Sequence, residues 1–95
     1  MRKITIHFFS NFRTIANTKS KEYDFDLEEI TIRDLLERVA KDYPDMDSYI
    51  FNRDRSISDS TSVLINGEDI RGLDNDKTLI SESDRITIFK AVGGG

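Results

Sequence analysis

Thr31-Ile32-Arg33-Asp34-Leu35-Leu36-Glu37-Arg38-Val39-Ala40-Lys41-Asp42-Tyr43-Pro44 is the stretch on which the fold turns. Ile32, Leu35, Leu36, Val39, Ala40 and Tyr43 recur at i, i+3, i+4, i+7, i+8 and i+11, the spacing of one face of an α-helix. Thr31 is placed to cap that helix, and Asp34, three residues on, supplies the acidic half of a capping box. Pro44 cannot continue the helical hydrogen bonding. The spacing predicts a helix from Ile32 to Tyr43 with an apolar stripe that must be packed against a sheet.

Strands lie on both sides of it. Upstream, Lys3 to Phe9 alternates, with Ile4, Ile6 and Phe8 on one face and Thr5, His7 and Phe9 on the other. A second alternating run sets Tyr23, Phe25 and Leu27 between Asp24 and Asp26, and a hairpin with the first strand is expected. Between the two, Ser10 to Lys19 is polar but for Phe12, Ile15 and Ala16, and reads as a connection with a short helical turn. Downstream, Asp45 to Ser60 suggests one helical turn around Met46, Tyr49, Ile50 and Phe51, then the least ordered interior stretch. Ser62 to Ile65 is a β-branched run ending at Asn66-Gly67, a dipeptide suited to the two positive φ angles of a type I′ turn, so that Glu68 to Ile70 can pair back. Arg71 to Asp84 is a polar crossing, and Arg85 to Phe89 alternates as a last strand. The expected architecture is α+β, a mixed sheet of four to five strands gripping one main helix.

Composition narrows the function. A chain of 95 residues supports one core, and the reading is a single domain over residues 1–92 followed by a glycine arm at 93–95. Without cysteine there is no thiolate nucleophile, no disulfide framework and no sulfur-ligated metal. No apolar run approaches the roughly 20 residues that span a bilayer, and Met1-Arg2-Lys3 leads straight into a strand, so a cytoplasmic protein with no membrane partner is expected. A net charge of −4 with interspersed signs offers no basic stripe for nucleic acid.

Enzyme signatures fail one by one. His7, the lone histidine, sits on the polar face of a strand and is assigned no role. Asp74-Asn75-Asp76-Lys77-Thr78 opens like a calcium loop, but Leu79 stands where glycine is needed and Arg85 where a bidentate glutamate belongs. Glu28-Glu29 and Asp45 with Asp47 have nothing apolar around them to raise a pKa and read as solvated carboxylates. The remaining chemistry is at the end of the chain. Gly93-Gly94-Gly95 forms an arm without side chains that can thread a channel too narrow for a Cβ, and it presents an unhindered carboxylate. A frayed end or a residual linker would look the same.

The order of elements resembles the ubiquitin-like β-grasp, and nearly the whole chain resembles the MoaD/ThiS sulfur carriers, the archaeal MoaD-like proteins in particular. The matching residues are Phe8 to Ala16, Thr31 to Leu36, Val63 to Ile70, Asp84 to Phe89 and Val92 to Gly95. The resemblance implies a carrier, not an enzyme: Gly95 would be adenylated by a MoeB/ThiF-type activating enzyme that uses ATP, the carrier itself binding no cofactor or metal. The acyl group would then become a thiocarboxylate that delivers sulfur, as in molybdopterin synthesis. It further implies docking on a MoaE-type synthase subunit through Phe9 and Phe89, with Val92 at the root of the Gly93-Gly94-Gly95 arm. Alternation supports this independently, since Phe9 and Phe89 point away from Ile4, Ile6, Ile86 and Ile88 if the first and last strands are neighbours. Phe12 and Ile15 folding over Phe9 is the competing arrangement.

Departures from the family pattern are Lys90-Ala91 where two prolines are common, Ser83 where a turn glycine is usual, and a third terminal glycine. The first implies a less stiff arm, the second some backbone strain. Conjugation of Gly95 to lysines of target proteins uses the same acyl-adenylate and is the alternative function. A passive β-grasp interaction domain with an inert tail is the third.

Overall fold

The structure is a computed structural model and describes residues 1–91. Strand β1 (Arg2–Phe8) leads into helix α1 (Ser10–Ala16), β2 (Ser20–Phe25) and a two-residue β3 (Ile30–Thr31). The main helix α2 (Ile32–Asp42) and a 3₁₀ turn at Pro44–Met46 follow, then the short α3 (Asp47–Ile50), β4 (Thr61–Ile65) and β5 (Glu68–Asp69). Two further 3₁₀ turns, Ile70–Gly72 and Asn75–Lys77, precede β6 (Leu79–Ile80) and β7 (Ile86–Lys90). The main sheet has five strands in the order β2, β1, β7, β4, β5, with β1 and β7 parallel and their other neighbours antiparallel. This is the β-grasp.

The capping box forms as its residues dictate. Thr31 Oγ1 accepts from the Asp34 N–H at 3.1 Å, and Asp34 Oδ2 accepts from the Thr31 N–H at 2.9 Å, which satisfies two donors left over at the helix start. Tyr43 is the C-cap, its N–H bonded to Val39 O. The apolar stripe is buried from Ile32 to Ala40 and Tyr43 is half-buried against it: Ile32, Leu35, Leu36 and Val39 meet Ile4, Ile6, Val63, Ile65, Ile86 and Ile88 in one core. Full burial of each aliphatic side chain contributes about 1.5–3 kcal/mol, enough across this set to hold the helix on the sheet. At the β4/β5 corner Asn66 (φ 53°) and Gly67 (φ 86°) both take positive φ, as a type I′ turn requires.

The structure departs from sequence expectation in four places. β2 stops at Phe25, and Leu27 is 47% exposed, because the chain leaves the sheet so that Ile30–Thr31 can pair with Leu79–Ile80 in a second, two-stranded sheet. The stretch after α3 is stitched down: Phe51 bridges Ile57 and Asn52 N–H bonds Ser56 O. Arg55 there reaches both Asp47 and Glu37 at 2.8 Å with its guanidinium 4.3 Å from the Phe51 ring centroid. Ser83 is not among the positive-φ residues, and the turn there is closed by Asp84 N–H to Ser81 O and Ser81 N–H to Asp84 Oδ2, so the missing glycine costs no strain. The crossing from Ile70 to Ile80 is built of turns, with Ile70 and Ile80 anchoring it in the core.

Candidate functional site

Gly93, Gly94, Gly95 and Val92 lie outside the described residues, so the site is built from the ground on which the arm stands. β7 pairs with β4 through Ser62↔Phe89 and Thr61↔Lys90. One residue further, Ala91 donates its N–H to the Ser60 carbonyl at 2.8 Å. The arm therefore starts from a backbone held in ladder register at Lys90-Ala91, where a proline at position 91 would have no N–H to give.

Beside this root is the sheet face turned away from α2. His7 lies next to Thr87, which lies next to Leu64, and Phe89 lies next to Ser62. Phe9 donates its N–H to Ile88 O at 3.0 Å, extending the β1/β7 ladder by one residue and bringing Phe9 alongside Phe89. Phe9 is 37% exposed and Phe89 half-buried. Phe12 does not fold over Phe9. It is buried in the core and packs edge-on against Tyr49, ring centroids 6.4 Å apart, while Ile15 is partly buried against the same core. What covers part of Phe9 is Arg13, whose guanidinium lies 4.7 Å from the ring centroid and whose Nε donates to Phe8 O at 3.1 Å. The face thus offers two aromatic rings with a cation over one of them, an arrangement suited to a protein surface rather than to a small molecule.

Two participants, Arg13 and Ser60, leave little mark in the sequence. Arg13 follows Phe9 by four residues, a helical spacing that could have suggested the stacking. Ser60 gives no such signal, because its role is fixed by the β4/β7 register.

His7 shares the face. Its pKa is lowered from 6.5, first by burial and second by the Arg85 charge, which keeps the imidazole neutral at ordinary pH. Among the described residues no three His, Asp or Glu side chains gather as a metal site, and no helix is long and apolar enough to cross a membrane.

A family model described as the ThiS family matches residues 6–95 of this chain. Small archaeal modifier protein 3 of Haloferax volcanii is 26% identical over 93 residues, which is 98% of this chain and 99% of that protein. The solution structure of small archaeal modifier protein 1 from Methanosarcina acetivorans superposes with a TM-score of 0.84 at 29% identity, covering 100% of this chain and 98% of that one. A chain of the BexX/CysO complex from Amycolatopsis orientalis shares the fold, with a TM-score of 0.77 at 22% identity over 97% of this chain and 99% of that one.

Proposed function

The chain belongs to the ThiS family, and from that premise we propose that it is a ubiquitin-like sulfur carrier whose working group is the Gly95 carboxylate. The observation that carries this reading is that the family match runs through residue 95, so the glycine arm is inside the matched segment. A carboxylate is inert to nucleophiles until it is activated. One oxygen of Gly95 attacks the α-phosphorus of ATP on a MoeB/ThiF-type activating enzyme, pyrophosphate leaves, and the acyl-adenylate forms. A hydrosulfide sulfur then attacks the carbonyl carbon, AMP leaves, and the product is a thiocarboxylate ready to give its sulfur to an acceptor. The protein is a cosubstrate in this scheme.

The geometry supports the division of labour. The hydrogen bond from the Ala91 N–H to the Ser60 carbonyl holds the root of the arm, and Phe9 and Phe89 on the exposed face, together with Val92, are the residues offered to the activating enzyme or to a MoaE-type synthase subunit. Incubation with ATP, magnesium and an activating enzyme from the same genome should exchange labelled pyrophosphate into ATP. Adding one alanine beyond Gly95 should stop the exchange, and exchange that persists with a blocked end would remove Gly95 from the reaction.

A second reading has its own observation. Small archaeal modifier protein 3 of Haloferax volcanii, a relative matched over almost its whole length, is named a modifier protein, and attack on the same adenylate by a lysine amine would give an isopeptide. Conjugates linked through Gly95 in cell extracts would favour it.

A further inference from the structure

The main sheet ends on one side in the six-residue β2 and on the other in the two-residue β5. Which peptide groups β2 leaves unpaired follows from its register. Phe8 donates its N–H to Lys19 O at 2.8 Å, directly opposite, so Lys21, Tyr23 and Phe25 turn their peptide groups toward β1 while Ser20, Glu22 and Asp24 turn theirs outward. Two of the outward carbonyls are capped. Thr18 Oγ1 donates to Ser20 O at 3.1 Å, and Arg38 Nη1 donates to Asp24 O at 3.3 Å. Among the described residues, the outward N–H and C=O of Glu22 have no partner.

Arg38 does more than cap. Its guanidinium lies 4.5 Å from the Phe25 ring centroid and 6.0 Å from that of Tyr23, so one side chain lids both rings and one edge carbonyl. The groove it covers runs between β2 and α2, past Lys21, Leu27 and Lys41. Most carboxylates there are engaged: Asp34 in the capping box, Glu37 with Arg55, and Asp42 with Tyr23 Oη at 2.7 Å and with Lys21. Arg38 and Lys41 have no carboxylate within ion-pair distance among the described residues. Beside Lys21 and Tyr23 the charges without an ion pair are therefore Arg38 and Lys41, while Asp34, which no cation pairs, and Asp26 lie at the Phe25–Leu27 end of the groove.

A second copy of this chain does not fit the edge. Antiparallel self-pairing through the outward groups would set Glu22 against Glu22, Lys21 against Lys21, or Glu22 against Asp24, like charges in each register. We propose that the β2 edge accepts, as an added strand, an extended segment of another protein that carries apolar and carboxylate side chains on the side facing α2. The incoming backbone bonds the Glu22 N–H and C=O. Arg38 exchanges the Asp24 carbonyl for an incoming carboxylate, which uncovers Tyr23 and Phe25 for the apolar side chains, and Lys41 takes a second carboxylate. The site is on the helix side of the sheet's edge and Phe9 and Phe89 are on the opposite face, so it is independent of the carrier reading and leaves that face free.

The test is a titration of isotope-labelled protein with a synthetic octapeptide, threonine, valine, threonine, glutamate repeated twice, and with its lysine-for-glutamate counterpart. The acidic peptide should bind, shift the amides of residues 20–24 and slow hydrogen exchange at the Glu22 N–H. Glu22→Pro leaves the β1 ladder intact because that N–H faces outward, and it should weaken binding about tenfold. The double variant Arg38→Glu, Lys41→Glu should reverse the preference to the lysine peptide, which keeps the test decisive if the proline variant fails to fold. No binding at millimolar peptide, equal affinity for both peptides, or self-association through β2 would overturn the proposal, as would a folded Glu22→Pro protein that binds unchanged.

Discussion

Leu36 is fully buried where α2 meets the sheet, so replacing it with Ala leaves a void that its neighbours fill only in part. A loss of about 2–5 kcal/mol in urea denaturation is expected. Phe89 differs because it is half-buried on the outer face, away from α2. Phe89→Ala should leave the unfolding midpoint near wild type and weaken association with an activating enzyme or synthase subunit by about 2 kcal/mol or more in calorimetric titration. A lowered midpoint with unchanged affinity would make Phe89 a core residue. His7 gives a test in pH. Its folded pKa lies below 6.5 through burial and the Arg85 charge, so the unfolded chain takes up the proton first. Stability is then full above 6.5 and falls as pH drops through that value toward the folded pKa. His7→Gln should flatten this part of the curve, measured as urea midpoints across a pH series.

Elements differ in how openly the sequence writes them. α2 and the β4/β5 hairpin are local: a period, a capping pair and an Asn-Gly turn each act within a few residues, and all three are found in place. At Gly67 the φ of 86° has open space around it, so Gly67→Ala isolates the conformational cost and should destabilise by about 1–2 kcal/mol. The small β3/β6 sheet was illegible because it joins residues some fifty positions apart, Ile30 with Ile80, each strand only two residues long. The same holds for the stretch after α3. Its polarity reads as loose, yet Arg55 is held at φ 69° by Asp47 and Glu37, partners eight and eighteen residues away. Leu27 continued the alternation of β2 on paper and lost its place because pairing at Ile30 pulled the chain off the sheet. On the candidate face, the outward direction of Phe9 and Phe89 was legible from period two, whereas Arg13 over Phe9 and Ser60 under Ala91 depended on tertiary register.

At the scale of the whole molecule, the core and the arm answer to different demands. The core is spent on making a rigid ground: α2 on five strands, with β7 held in the middle of the sheet between β1 and β4. The ladder continues to Ala91, which brings a fixed backbone to the start of residues 92–95. A reacting carbon must come within about 3.5 Å of its attacker in an aligned geometry, so the arm's root and length matter more to the proposed chemistry than any exposed side chain elsewhere. The most direct measurement is intact-mass spectrometry of the protein after reaction with ATP, magnesium, an activating enzyme from the same genome and a sulfur donor. A single product is expected in which one oxygen of the Gly95 carboxylate has been replaced by sulfur, absent when one alanine follows Gly95. An unchanged mass with every activating enzyme that genome encodes would contradict the carrier reading.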